Sequence, residues 1–282
     1  MSSLRLVVLT CLLALWSAAS FAQESPYFVT YTHYLEEPGN LEIGLLNTTG
    51  VPKHGNAVYH APWLELEYGV TGWWTAELYV EGITTTRDGG GFTGWRSEHR
   101  FRPLRGEHRV NPLLYVEYED LNEASRIQKE IVGSGGLEFE PIASLRRHHV
   151  RELEAKLVLS SAVGGWNASE NVTFEKNLSE AEGVEFGYSV GVSRPLGALA
   201  RGANCRLCRE NFVAGVELYG GLGSTLGFGA GDQRHYVAPA LAWGLTDKSL
   251  LKVSVGTGLT EASDRFLVRL GWTYELPLRG RQ

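Results

Sequence analysis

The chain has 282 residues, a formal net charge of −6, 43% hydrophobic and 21% charged residues, and three cysteines. An acidic balance excludes a general nucleic-acid binder, which needs a basic face to displace phosphate counterions. Beyond residue 22 no apolar run reaches the roughly 18 residues of a spanning helix, so any crossing of a membrane must use strands.

Arg5, the apolar stretch 6–16 and the small-x-small site Ser20-Phe21-Ala22 predict a signal peptide over 1–22, cleaved before Gln23, with a single domain over 23–282. Cys11 lies inside the apolar stretch and not after a lipobox, which disfavours a lipid anchor. Export leaves Cys205 and Cys208, separated by two residues. A local disulfide is the first reading in an oxidising envelope, with free thiols or a metal or redox centre as alternatives. No metal site or cofactor is expected, because the neighbours Arg206, Leu207, Arg209 and Glu210 do not complete a ligand set.

From residue 41 the dominant period is two, the strand signal, and it recurs between turn-like breaks. The segments are 41–50, 60–70, 73–86, 93–104, 111–121, 150–163, 166–178, 184–196, 212–223, 235–245, 250–260 and 264–276. That is about twelve antiparallel strands, or fourteen if 122–149 hides another hairpin. Tight connections at Thr71-Gly72, Gly164-Gly165 and 246–249 contrast with longer ones at 51–59, 122–149 and 225–233, the turn-and-loop asymmetry of an outer-membrane barrel. The 197–211 connection breaks that asymmetry.

Within the segments, one face is oily and the other polar, because successive side chains alternate across a strand. Leu64, Leu66 and Tyr68 oppose Trp63, Glu65 and Glu67; Ala76, Leu78 and Val80 oppose Glu77, Tyr79 and Glu81. The same split recurs at Leu114, Val116 and Tyr118 against Tyr115, Glu117 and Glu119, and at Leu153, Ala155 and Leu157 against Glu152, Glu154 and Lys156. A soluble sandwich also alternates. Strand length and the aromatic residues Tyr68, Tyr118, Trp272 and Tyr274 near strand ends favour a barrel in lipid.

The polar face supplies the lumen-lining candidates. Carboxylates at Glu65, Glu67, Glu77, Glu81, Glu117, Glu119, Glu152, Glu154, Glu185 and Glu217 face bases at Arg96, Arg100, Arg102, Lys156, Lys252 and Arg269. Trp63, Tyr79 and Tyr115 add aromatic contacts. Two readings of this excess of acid stay open: an interior salt-bridge network filling a narrow barrel, or a cation-favouring, water-filled lumen.

The phrases LEYGVTGWWTAELYVEG (66–82), VEFGYSVGVSRPL (184–196) and FVAGVELYGGLG (212–223) resemble strand pairs of outer-membrane proteins of the meta-pathway phenol-degradation type. The resemblance implies a barrel that admits aromatic or other hydrophobic compounds and carries over no catalytic residue. The chain departs from outer-membrane proteins that close on a terminal aromatic, running Leu276-Pro277-Leu278 and onward after its last strand.

Other motifs carry less. Ser97 and His99 share an outward face and resemble the exterior pair of outer-membrane phospholipase A, but the D-H-x-S-N-G-type signature is missing, so they read as interface residues. Arg146-Arg147-His148-His149 reads as a solvated loop run, with a contact for anionic lipopolysaccharide or a weak metal site as alternatives. Asp88-Gly89-Gly90-Gly91 lacks the lysine and helix of a phosphate loop.

The expectation is therefore an all-β, single transmembrane antiparallel barrel in a bacterial outer membrane, in contact with lipid and lipopolysaccharide. It is a non-enzymatic passive pore or uptake channel for a small solute. A closed structural barrel acting through its loops and a soluble periplasmic β-sandwich that binds a ligand are the alternatives; the sequence leaves the oligomeric state open.

Overall fold

The computed structural model describes residues 25–54, 57–126, 142–199 and 211–278. The signal segment 1–22, its cleavage point and the Cys205/Cys208 pair lie outside the described residues.

Thirteen strands follow in chain order: β1 (Asn40–Val51), β2 (Tyr59–Thr71), β3 (Trp74–Thr85), β4 (Gly89–Phe101), β5 (Asn111–Asn122), β6 (His149–Val163), β7 (Trp166–Asn177), β8 (Val184–Pro195), β9 (Phe212–Ser224), β10 (Gly227–Phe228), β11 (His235–Thr246), β12 (Ser249–Gly258) and β13 (Phe266–Pro277). Two helical turns, α1 (Glu123–Arg126) and α2 (Ile142–Leu145), flank the β5–β6 connection. The short β10 pairs only with the end of β9. The other twelve strands close into an antiparallel barrel, each paired with its neighbours and β13 returning to β1.

The segments read from the sequence match these strands. The largest shift is in β4, which starts at Gly89 and ends at Phe101, because three glycines of the preceding turn already pair with Ile83, Thr84 and Thr85. The fourteen-strand alternative is not formed: β5 and β6 pair directly from Asn111↔Ser160 to Asn122↔His149, which leaves no room in the wall for another hairpin. The asymmetry of connections is also looser than expected. The end holding both described chain ends has tight turns at 72–73, 164–165 and 247–248, yet β4 and β5 are joined there by nine residues, 102–110, while β3 and β4 are joined by only 86–88 at the opposite end. We call these the turn end and the loop end.

The alternation resolves with the oil outside. Leu78, Val80, Leu114, Val116, Leu153, Leu157, Phe174, Val216, Leu218 and Leu270 are exposed on the outer wall, whereas Glu77, Glu98, Glu117, Glu119, Glu152, Glu175 and Glu217 are buried inside. A sandwich would bury the first set and expose the second. The sandwich alternative is thereby excluded. Aromatic rings gather toward the turn end in two groups, Trp73 and Trp74 with Phe101, and Trp272 with Tyr274 on β13, in stacked and tilted contacts, as in an aromatic belt at a membrane interface.

The loop end is packed inside. Tyr59, Ala61, Ile83, Tyr219, Tyr236, Ala238 and Leu267 form an apolar cluster, and the helical turns close over it through Ala124 of α1 and Leu145 of α2. Tyr59 and Tyr236 both donate their hydroxyls to Asp264, at 2.9 and 3.2 Å, which satisfies the buried carboxylate.

Candidate functional site: the barrel lumen

The interior wall is built from a single repeated accident of register. Strand pairing places Glu275 opposite Glu42, Glu42 opposite Glu67, Glu67 opposite Glu77, and Glu77 opposite Glu98. The same row continues from Glu98 to Glu117, Glu154, Glu175 and Glu185. Each of nine adjacent strands, β13 and β1 to β8, thus contributes one glutamate to one unbroken row. Because strands in a barrel tilt against its axis, a row along the hydrogen-bond direction climbs the wall. This one rises from Glu275 and Glu42 near the turn end, through Glu117 in mid-strand, to Glu185 at the loop end of β8.

Like charges on directly opposed residues are unfavourable, since their Cβ atoms lie about 4.5–5.5 Å apart. Bases on the flanking rows relieve part of this. Arg100 reaches Glu67 and Glu77 as well as Glu98 at 3.2 Å. Arg96 holds Glu81 at 2.6 Å and Glu117 at 2.8 Å, and Lys156 holds Glu154 at 2.6 Å. Tyrosine hydroxyls complete the shell: Tyr79 donates to Glu77 and, at 2.8 Å, to Glu98, while Tyr115 donates to Glu117. Arg269 donates to the Tyr219 hydroxyl at 2.7 Å.

Fifteen of the sixteen charged candidates from the sequence lie on strands with their side chains on the inward face, whereas Arg102 falls just past the end of β4 and pairs with Glu107 at 2.7 Å. Glu65, Glu67, Glu77, Glu81, Glu117, Glu119, Glu154, Arg96, Arg100, Lys156, Lys252 and Arg269 border the central cavity. Glu152 and Glu217 are buried in the wall and Glu185 is half-buried at the loop end. Trp63 and Tyr79 also border the cavity, while Tyr115 lies beneath Tyr31 and Lys156. Sequence reasoning omitted Glu42, Glu98, Glu175 and Glu275 from the lining, although each has the parity of a polar face; the pairing register that joins them is a tertiary fact.

It also gave no account of residues 25–39. This segment enters the lumen from the turn end, reaches mid-barrel and returns to start β1. Glu217 accepts the backbone N–H groups of Phe28, Val29 and Thr30 at 3.1, 2.9 and 2.7 Å. The Asn171 side chain acts as a surrogate strand, accepting from the Tyr31 N–H at 2.6 Å and donating to its carbonyl at 3.0 Å. Tyr31 donates its hydroxyl to Glu98 at 2.9 Å, edge-on to Tyr115. Tyr27 sits over glycines of β8 and β9, where a Cβ on Gly191 would come within 2.7 Å of its ring. On the way out His33 meets Glu107 of the β4–β5 connection at 2.8 Å, and Gly39 donates to Gly69 at 2.8 Å.

At this mouth Glu36 is pushed up to about 8 by burial and by the charges of Glu67 and Glu275. Burial lowers His33 below the usual imidazole value, against the pull of Glu107. Beside the segment a cavity of about 870 Å³ runs from Glu36, Glu275, His108 and Ala162 at the turn end to Leu121 and Ser125 near the loop end.

The remaining motifs are placed elsewhere. Ser97 and His99 face outward; the Trp74 indole donates to His99 at 3.3 Å and the imidazole stacks with Phe101, within the aromatic belt. Arg146 braces the β3–β4 turn through the carbonyls of Asp88 and Gly89, at 3.2 and 3.0 Å. Arg147, His148 and His149 are exposed at the loop end, with His149 on Asp120 at 2.5 Å.

No family model matches the chain, and no curated protein matches its sequence. Solved structures do resemble it. The COG4313 outer membrane channel from Pseudomonas putida F1 superposes with a TM-score of 0.53 at 12% identity, covering 86% of this chain and 97% of that one. The KdgM porin superposes with a TM-score of 0.50 at 10% identity, covering 83% and 98%. The same porin in complex with disordered oligogalacturonate gives 0.50 at 9% identity over the same shares. At such identities the likeness establishes one thing: this chain has the barrel fold of outer-membrane channels.

Proposed function

We propose that the protein is an outer-membrane pore or uptake channel for small molecules, exported by its N-terminal signal segment and inserted with its turn end toward the periplasm. The carrying observation is the polar cavity of about 870 Å³ inside a closed barrel whose outer wall is apolar. A barrel meant only as a membrane anchor gains nothing from holding so many carboxylates beside an open space, where each must remain solvated or paired. Tyr27, Phe28, Tyr31, Trp63 and Tyr79 border the same space, which supports a solute with an aromatic or hydrophobic part and agrees with the resemblance to the phenol-degradation type. Arg147, His148 and His149 at the loop end fit contact with lipopolysaccharide. Among the described residues the hydrogen-bond partner of the outward His99 is the Trp74 indole and not a carboxylate, which supports a non-enzymatic reading.

A second reading, a closed barrel acting through its loops, is favoured by the segment 25–39 in the lumen and by the apolar cluster at the loop end. Planar-bilayer recordings separate the two. The full chain is expected to give small, discrete conductance steps, and removal of residues 25–37 to enlarge them. Silence from both proteins, each heat-modifiable and therefore folded, would overturn the pore.

A further inference from the structure

The row of glutamates assigns a charge preference to the conduit. We propose that the lumen passes cations in preference to anions, and that its solutes are small organic cations of the alkylammonium or guanidinium class. The inference rests on the pore reading and narrows its solute.

Three observations carry it. The first is continuity: from Glu275 to Glu185 every strand of β13 and β1 to β8 presents an inward carboxylate in register, so acids climb the wall from the turn end toward the loop end. The bases on the same inward faces, Arg96, Arg100, Lys156, Lys252 and Arg269, are fewer than the glutamates of this row alone. The second is access, since Glu42, Glu67, Glu77, Glu117 and Glu154 of the row border the cavity and are not sealed in packed core. In a narrow, low-dielectric passage their field repels anions strongly and concentrates cations.

The third is chemical and independent of the acid count. The wall already holds an ammonium and a guanidinium between carboxylates and tyrosine faces. Lys156 Nζ lies 2.6 Å from Glu154, 4.0 Å from the Tyr115 ring centroid and 4.8 Å from that of Tyr31. The Arg96 guanidinium lies 4.2 Å from the Tyr79 centroid while bonded to Glu81 and Glu117. A carboxylate with an adjoining π-face is the arrangement that binds organic cations. Trp63 beside Glu65, with its indole donating to that carboxylate at 3.4 Å, repeats the pairing of ring and acid at the cavity wall. Aromatic side chains in the lumen therefore serve a charged solute as well as a greasy one.

The test is the reversal potential of the full chain in a planar bilayer under a potassium chloride gradient, followed by replacement of potassium with guanidinium and with methylammonium. The reversal potential is expected to shift toward the potassium equilibrium potential, cations passing severalfold faster than chloride, and current is expected to persist with both organic cations. The double variant E42Q/E67Q, verified as folded by heat-modifiability, is expected to move the reversal potential back toward zero. A wild-type reversal at zero or on the chloride side overturns the inference and leaves the pore standing; loss of current in guanidinium and methylammonium overturns its organic-cation part. If the full chain is silent, the same recordings are made on the protein lacking residues 25–37, and silence from both overturns the pore itself. Should the double variant fail to fold, the wild-type measurement still decides.

Discussion

Glu217 shows how one side chain can decide where a whole segment lies. Its two oxygens take three consecutive backbone donors, and charge-assisted bonds of this kind in a shielded lumen are among the stronger ones available. Glu217→Ala is expected to strand those donors, costing about 1–3 kcal/mol for each that stays buried and unpaired. The segment should then leave its seat, which protease cleavage within residues 25–38 of the otherwise intact barrel would report. Uncut protein would place the anchor elsewhere. Two titrating groups at the same mouth couple seating to pH. With Glu36 raised from 4.5 to about 8, the seated state holds a proton that the released state lacks, so seating weakens as pH rises through that window. His33 is lowered from 6.5, so the released imidazole binds its proton first and its contribution to seating weakens as pH falls below that value, against the gain from Glu36. Above 6.5 only Glu36 changes its proton count on seating, so cleavage of the segment should quicken as pH rises from 6.5 to about 8; a flat profile over that range would remove Glu36 from the account.

At the scale of the element, the wall depends on places where backbone comes closer than a side chain permits. Gly94 adopts φ 145 at the irregularity where β3 and β4 shift register, and a Cβ there would overlap the carbonyl oxygen of Asp120 on β5. Such a conformation belongs to glycine. Gly94→Ala is expected to cost about 1–3 kcal/mol in backbone strain, lowering the temperature at which the folded gel band converts to the unfolded one. Gly72→Ala, in the β2–β3 turn with nothing within 4 Å of its new methyl group, is the matched control and should leave that temperature unchanged. Equal shifts in the two variants would mean that the bulge is not what the glycine protects. The same economy of space governs the N-terminal segment, whose Tyr27 fits because Gly191 and Gly215 leave a notch in β8 and β9.

At the scale of the molecule, the barrel is inside out relative to a soluble protein, and that inversion can be tested with one residue. Leu157 lies mid-strand in β6 on the exposed outer wall, back to back with the buried, charged Lys156. In lipid, Leu157→Arg is expected to destabilise the folded barrel by about 2–4 kcal/mol, the cost of a cation near the bilayer midplane, measured by urea unfolding in bilayers. In detergent-free buffer a soluble protein would welcome the same change. A neutral outcome in bilayers would deny that this face meets lipid. Inside, the energetic problem is reversed: carboxylates share a confined space with few bases, and the network of Arg96, Arg100 and Lys156 offsets part of their repulsion.

Much of this was legible in the linear chain. Alternation of period two located all twelve wall strands and their oily faces, because a strand's side-chain direction is a local property of the backbone. The face on which Glu77, Glu117 or Arg269 would lie followed from the same rule. What the chain by itself could not determine was which way that face would turn, since alternation is common to sandwich and barrel, and closure is a contact between β1 and β13 more than two hundred residues apart. The row from Glu275 to Glu185 has the same origin. Each glutamate is visible in its own strand, but their alignment is fixed by pairing register, which turns, bulges and closure set together. The lumenal position of residues 25–39 was the least legible of all: the segment has no strand period and gains its place from partners such as Glu98, Asn171 and Glu217, distant in sequence and brought together only once the barrel has closed.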